Sequence, residues 1–325
     1  MQQIDKRNGR TWSRLGQRGT VCGIALPELL EDRENCYVIT ADLANLSGLD
    51  RVRRRHPGKF INVGIAEQNL IGVAAGLAFE GNTVFATTYA TFISMRSYEQ
   101  IRHNLGYQKA NVKVIGSAAG LAMGMSGNTH YSYEDIALMR VIPNMIVVSP
   151  ADAAEAYQAV HCAANYDGPV YIRLSGNLNG PILYQEPYDF KFGRSVVMRQ
   201  GKGLVIVAIG EMVSEALCAA EKLCEAGISP TVINMHTIKP LDVEILRKYS
   251  NEKLMVTVEE HNIVGGIGSA IAEFLASSKN SLPLVRIGIE DQFLHPADYK
   301  YMKQENGLDS VGIYKKIMDV WEKLV

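Results

Sequence analysis

The chain has 325 residues, 47% of them hydrophobic and 21% charged, a composition that fits a globular protein and excludes disordered, collagen-like and membrane classes. Its 33 Lys and Arg nearly cancel 34 Asp and Glu, leaving a formal charge of -1, so no basic field points to nucleic acid as a partner. The longest apolar runs, such as residues 204–209, fall far short of the ~20 residues that cross a bilayer, and the polar, Arg-rich start lacks a signal-peptide core. These features predict a cytoplasmic protein with no membrane partner.

From residue 36 to 174 short β-branched runs alternate with helical patterns, the habit of a parallel sheet with crossover helices. The patterns predict strands at 37–40, 60–63, 83–87, 112–115, 145–148 and 170–174, and helices at 66–79, about 96–105, 133–140 and 151–164. Residues 175–193, with Gly176, Gly180, Pro181, Pro187 and Gly193 among polar residues, read as a linker. Beyond it lie strands at 204–209, 231–234, 254–258 and 284–289, helices at 213–226, about 242–249 and 268–277, and a terminal helix at about 311–324. The fold class is α/β with two doubly wound domains, residues 1–180 and a smaller one at 190–325. The basic cluster Arg51, Arg53, Arg54, Arg55 and His56 reads as a solvated loop face. The five cysteines (Cys22, Cys36, Cys162, Cys218, Cys224) form neither a CxxC nor a His-paired spacing and read as reduced, mostly buried thiols. His236, His261 and His295 are too scattered for a metal site.

Chemistry concentrates where Asn62-Val63-Gly64-Ile65-Ala66-Glu67-Gln68-Asn69 runs from a strand into a helix rich in Gly and Ala. Small side chains let such a helix lie close to a sheet or another subunit. Glu67 falls in the first helical turn at the carboxyl edge of the sheet, where open α/β folds bind ligands; read without more, it simply complements the helix dipole. Tyr89 and Phe92, three residues apart, direct both rings to one side or pack in the core. Ser132 and Asp135 form a capping-box-like S-x-x-D that makes Glu134 and Asp135 helix N-terminal residues.

The GIAEQN segment with its small-residue helix resembles the pyrimidine-binding domain of transketolases, and the likeness continues through ADL (41–43), SGL (47–49), TYATF, SMRSYEQIR, AGLAMG, THYSYEDIALMR, IPNM and SPAD. Thr257-Val258-Glu259-Glu260-His261 with Gly265-Gly266-Ile267-Gly268-Ser269 is similar to the C-terminal domain of the same family. The GDG…N segment with which the family holds Mg2+ and the cofactor diphosphate is not among these residues. The resemblance therefore implies the C-terminal subunit of a split, thiamine-diphosphate-dependent transketolase, with a partner N-terminal subunit holding Mg2+ and a heterotetrameric assembly. It implies transfer of a two-carbon ketol unit from a ketose to an aldose. In this reading Glu67 hydrogen-bonds N1′ of the aminopyrimidine and is catalytic. Tyr89 and Phe92 pack on that ring, Tyr98 adds to the wall, and Asp42 lies near the cofactor. His130, the second catalytic residue, faces the donor sugar's hydroxyl and carbonyl end, where it donates to the developing enolate-like oxygen or relays a proton, and Arg14 reaches a sugar phosphate.

The chain departs from the family at Ser117-Ala118-Ala119, at Ser126-Gly127-Asn128, and at Gly176, where an arginine for substrate phosphate is expected. Loss of those charges predicts a substrate that is unphosphorylated or modified at its distal end, unless Arg14 or the partner restores the anion site. The alternatives are a related thiamine enzyme, deoxyxylulose-phosphate-synthase-like or decarboxylating a 2-oxoacid, and a non-catalytic regulatory subunit. Gly265-Gly266-Ile267-Gly268 also permits a weak dinucleotide-fingerprint reading.

Overall fold

A computed structural model describes residues 2, 4–186, 188–278 and 282–324; Pro187, part of the linker reading, lies outside the described residues. The first half builds β1 (Cys36–Thr40), β2 (Phe60–Asn62), β3 (Thr83–Tyr89), β4 (Val112–Ala119), β5 (Ile146–Val148) and β6 (Val170–Ser175). These pair in parallel, and β3, β4 and β6 are buried along almost their whole lengths. Burial on both faces makes these strands largely apolar, with Lys113 of β4 and Arg173 of β6 as buried charged exceptions. The second half builds β7 (Val196–Arg199), β8 (Leu204–Ala208), β9 (Thr231–Asn234), β10 (Thr237–Lys239), β11 (Leu254–Asn262) and β12 (Leu284–Ile289). The sheet orders are β10-β5-β6-β4-β3-β1-β2 and β12-β11-β8-β9-β7. Two α/β sheets are thus present, as the alternation predicts.

The differences from the predicted elements have physical causes. A helix at Lys6–Thr20, interrupted at Gly16, has only Trp12 and Leu15 as large apolar residues; Asp5 caps it by accepting the Arg7 and Asn8 N–H groups, and tertiary packing of Trp12 on Tyr157, centroids 5.0 Å apart, fixes it. The predicted helix at 96–105 is wide-turned instead, with π-helical segments at Phe92–Arg96 and Ile101–Tyr107. β10 belongs to the second half in sequence but adds antiparallel to β5, closing the first sheet. The basic cluster is helical (Asp50–Arg55) rather than a loop; Arg53 and Arg55 pair with Asp50 and Glu31 on the surface. Cys22 and Cys36 are buried, but Cys218 is exposed.

The linker is a strap. Asp152 accepts the Leu183 and Tyr184 N–H groups at 2.5 and 3.2 Å, Tyr188 donates to Glu155, and Phe190 stacks on His236 at 4.3 Å. Asn234, on β9, also donates to Glu155 at 2.9 Å. The strap thus binds the two halves through polar groups that no hydropathy pattern reveals.

The capping-box reading at Ser132 and Asp135 fails. Asp135 does sit in the first turn of a helix (Asp135–Val141), yet its carboxylate turns inward to accept from Arg173 Nε at 2.9 and 3.1 Å and from the Tyr171 hydroxyl at 2.7 Å. Both partners of this ion pair are buried, at 0% and 1% side-chain exposure. Asp135→Ala should leave an uncompensated guanidinium in the core and cost about 3–5 kcal/mol; urea denaturation of the full chain measures it.

Candidate active site

The carboxyl edge of the first sheet gathers the candidate residues. Asn62, at the end of β2, accepts the N–H groups of Asp42 and Gly64 at 2.9 and 3.0 Å and donates to the Asp42 carboxylate at 3.0 Å. Asp42 and Gly64 both have positive φ, 59° and 76°, conformations that Asp tolerates and Gly favours. This clamp joins the ends of β1 and β2 and sets the entry to the helix Glu67–Phe79. Asp42 itself is exposed at the rim.

Glu67 opens that helix and is 5% exposed. Its Oε1 accepts from Arg96 Nη1 at 3.0 Å, and its second oxygen has no partner among the described residues. Arg96 lies over the Phe92 ring, 3.8 Å from the centroid, a cation–π contact that holds the guanidinium against the carboxylate. Phe92 in turn neighbours Tyr89 and His130, with centroids 5.7 and 5.3 Å away, and Tyr89 and His130 are 6.2 Å apart. Thr129 Oγ1 lies 2.9 Å from His130 Nδ1, which orients the imidazole. Glu67, Phe92, Tyr89 and His130 therefore form one contact chain, and Arg96, absent from the sequence-derived set, is its link. A cavity of about 570 Å³ opens beside it, lined by Ile65, Ala66, Glu67, Gln68, Asn69 and Arg96. Arg96 follows Phe92 by four residues, the helical spacing that was the available signal for it.

Two predicted site residues lie elsewhere. Tyr98 donates its hydroxyl to the Leu138 carbonyl at 3.1 Å and packs against core residues, so it anchors a helix. Arg14 is exposed in a groove of about 960 Å³ with Lys6, Arg7, Arg10 and Gln185. Arg18, one turn on, instead shares a cavity of about 80 Å³ with Gly176, Ser175, Asn177 and Ala118. The chain turns between the two arginines at Gly16 (φ 64°), where a Cβ would lie 2.9 Å from the Asn177 carbonyl. Of the departures, Ser117 is buried and donates to the Thr88 carbonyl at 3.1 Å, so it faces no channel, while Ser126 is exposed.

The GGIG segment does not form an open phosphate seat. The first amides of the helix Ile267–Ala276, those of Ile267 and Gly268, already donate to the Glu259 carboxylate at 2.7 and 2.9 Å. A Cβ on Gly266 would fall 1.9 Å from that carboxylate. The glycines admit Glu259, whose proton affinity burial pushes up to about 7, and the dinucleotide reading falls. Among the described residues no group of three His, Cys, Asp or Glu is placed to hold a metal ion, and no helix is long and apolar enough to cross a membrane.

Comparison with known proteins identifies the family. The profile of the transketolase pyrimidine-binding domain matches residues 17–180 and that of the transketolase C-terminal domain residues 193–313. A protein described as a transketolase C-terminal section, from Methanocaldococcus jannaschii, is 41% identical over 93% of this chain and 95% of its own length. The 6-deoxy-6-sulfo-D-fructose transketolase subunit SqwH of Clostridium sp. is 38% identical over 92% of each chain. A solved structure titled as a split gene transketolase in an inactive β4 tetramer superposes with a TM-score of 0.86 at 38% identity, covering 94% of this chain and 97% of its own. The chain belongs to the transketolase family. Within it, the chain is a subunit of a split, thiamine-diphosphate-dependent transketolase, a transferase that moves a two-carbon ketol unit.

Because the Arg96 side chain is half exposed at 50%, its pairing with Glu67 is screened by solvent. Arg96→Gln should therefore change the unfolding free energy by no more than about 1 kcal/mol, in contrast to Asp135→Ala, as the same urea titration reads.

Proposed function

We propose that this chain supplies the pyrimidine side of the thiamine diphosphate site, with residues 1–180 as the pyrimidine-binding domain and 190–325 as the C-terminal domain. A partner subunit would hold the diphosphate and Mg2+, in a cytoplasmic heterotetramer. One observation carries the reading: a buried carboxylate, Glu67, lines an open cavity and is tied through Arg96 to the Phe92–Tyr89 aromatic pair, with one oxygen bonded to Arg96 and the other without a partner among the described residues. Such a carboxylate oxygen can accept a hydrogen bond from a protonated ring nitrogen. The cofactor, when bound, would supply an acidic C2–H as the source of the nucleophilic carbon. Glu67 holds a proton at N1′, Tyr89 and Phe92 exclude water and stack against the aminopyrimidine, and His130, turned to the same rings, donates to the oxygen of the ketol group being transferred. Asp42 lines the rim of the site.

Partner contact is supported by the outer face of the Glu67–Phe79 helix. Gly72 and Gly76 are exposed, a Cβ at either would meet open space, and Ile65 is 77% exposed at its entry. A flat face of this kind admits a close neighbour. The inactive tetramer of the solved relative supports a requirement for the second kind of subunit.

For substrate, Arg18 is the cation beside Gly176. One fixed positive charge, with the Asn177 and Ser175 side chains and backbone around it, suits a ketose carrying a compact anionic group at its distal end. The relative named for a sulfonated fructose is compatible with this.

Glu67→Gln should leave the fold and partner binding intact and slow C2–H exchange of the bound cofactor by orders of magnitude, since an amide cannot carry the proton at N1′. Proton NMR in deuterated buffer on the assembled complex reads the rate, and an unchanged rate would reduce Glu67 to a helix-dipole residue. Arg18→Ala should raise KM for an anionic-ended donor by about tenfold and leave a neutral analogue of the same carbon skeleton unaffected, whereas Arg14→Ala changes neither. Steady-state kinetics on the assembled pair separate the two arginines.

A further inference from the structure

The loop that carries His130 is held by the other half of the chain. Gly120 and Ser132 exchange both backbone hydrogen bonds, at 2.7 and 3.0 Å, which closes residues 121–131 into a loop with a one-pair neck. On that neck Glu260, near the end of β11, accepts the Leu121 N–H at 2.6 Å. Gly120, at φ 69°, leaves room for it: a Cβ there would lie 2.4 Å from Glu260 Oε1. At the crown of the loop Asn128 donates to the Leu294 carbonyl.

The second oxygen of Glu260 accepts from the Tyr299 hydroxyl at 3.0 Å, and the same hydroxyl lies 3.3 Å from Glu211 Oε2. A phenol has one proton to give. With both carboxylates ionised, one of them would face the phenol oxygen with lone pairs only. With Glu211 protonated, Glu211 donates to Tyr299, Tyr299 donates to Glu260, and Glu260 keeps its bond to Leu121. Lys303 and Glu215 also face Glu211, but they satisfy each other at 2.8 Å, and Arg173 reaches Glu260 through its backbone carbonyl at 2.8 Å. Burial, reinforced by the charge of Glu260, pushes Glu211 up to about 7; burial raises Glu260 as well, but Arg173, the Leu121 N–H, Lys303 and the Tyr299 hydroxyl pull it back toward its ionised form.

We infer that Glu211, Tyr299 and Glu260 form a proton-sharing latch by which the C-terminal half positions the His130 loop, tight when Glu211 carries its proton and looser when it is ionised. The catalytic consequence rests on the placement of His130 proposed above; the latch does not. The sign follows from linkage. Glu211 binds its proton more tightly folded than unfolded, so the contribution is complete in acid and is lost as pH rises through about 7.

Hydrogen exchange of residues 120–132 in the full-length chain tests this at about pH 6 and pH 8, corrected for intrinsic exchange, with β3 as the reference segment. In the wild type, opening of 120–132 should increase severalfold between the two pH values. Glu211→Gln should abolish that step, because the amide donates to Tyr299 at both pH values. Tyr299→Phe should speed exchange about tenfold at the lower pH, as expected for loss of a hydrogen bond to a charged group. Absence of the step in the wild type, its persistence in Glu211→Gln, or an equal acceleration of β3 in Tyr299→Phe overturns the latch. Ketol transfer by His130→Ala in the assembled enzyme reports separately on the catalytic placement of His130.

Discussion

A single buried guanidinium, Arg173, organises the region on which the site depends. Taking such a charge out of water is costly unless it is paired with an opposite charge and hydrogen-bonded. Its Nε meets Asp135, and its Nη2 reaches the carbonyls of Ser132 and Glu260 at 3.2 and 2.8 Å. Those partners belong to a helix of the first half, the neck of the His130 loop and β11 of the second half. The bonds of one side chain thus tie three segments to β6. Burial pushes the Tyr171 hydroxyl well up in pKa, helped by the adjacent Asp135, so it remains a donor and completes the network.

The two halves accordingly do different work. The first presents Glu67, Arg96, Phe92 and Tyr89 at the carboxyl edge of a parallel sheet, where the diverging chain leaves space for a ligand. The second contributes no residue to that contact chain. It contributes β10 to the sheet, a clamp on the strap through Asn234, and Glu260 and Tyr299 against the loop of His130. Its GGIG turn, which in isolation suggests a phosphate seat, is consumed by Glu259 in seating its own helix. A glycine-rich helix N-terminus is an anion site only while its amides are free.

Charge around Gly176 is likewise set by steric fit. Gly176 carries no side chain because Glu211 occupies the space where one would stand, its Oε1 within 1.6 Å of a hypothetical Cβ. The cation beside it comes from Arg18, behind the Gly16 turn. Glu211 against Gly176 and the turn at Gly16 together decide which side chains border this cavity.

The alternation of β-branched runs with helical periods was sufficient to establish an α/β chain in two halves, since burial of a parallel sheet on both faces writes itself as hydrophobicity. Glu67, Tyr89, Phe92 and His130 were legible through motif likeness, because their local segments are short and continuous. What escaped depends on partners distant in sequence. Asp135 looks like a helix cap until Arg173, 38 residues on, turns it inward. β10 is three residues of strand whose sheet lies in the other half. Arg14 and Arg18 are alike by composition, and only the turn at Gly16 against Asn177 decides which one meets Gly176. Local sequence determined which elements form, because propensity and periodicity act over a few residues. The tertiary structure alone decided which polar groups are satisfied, and by whom, because buried charges and hydrogen bonds choose partners by distance in space.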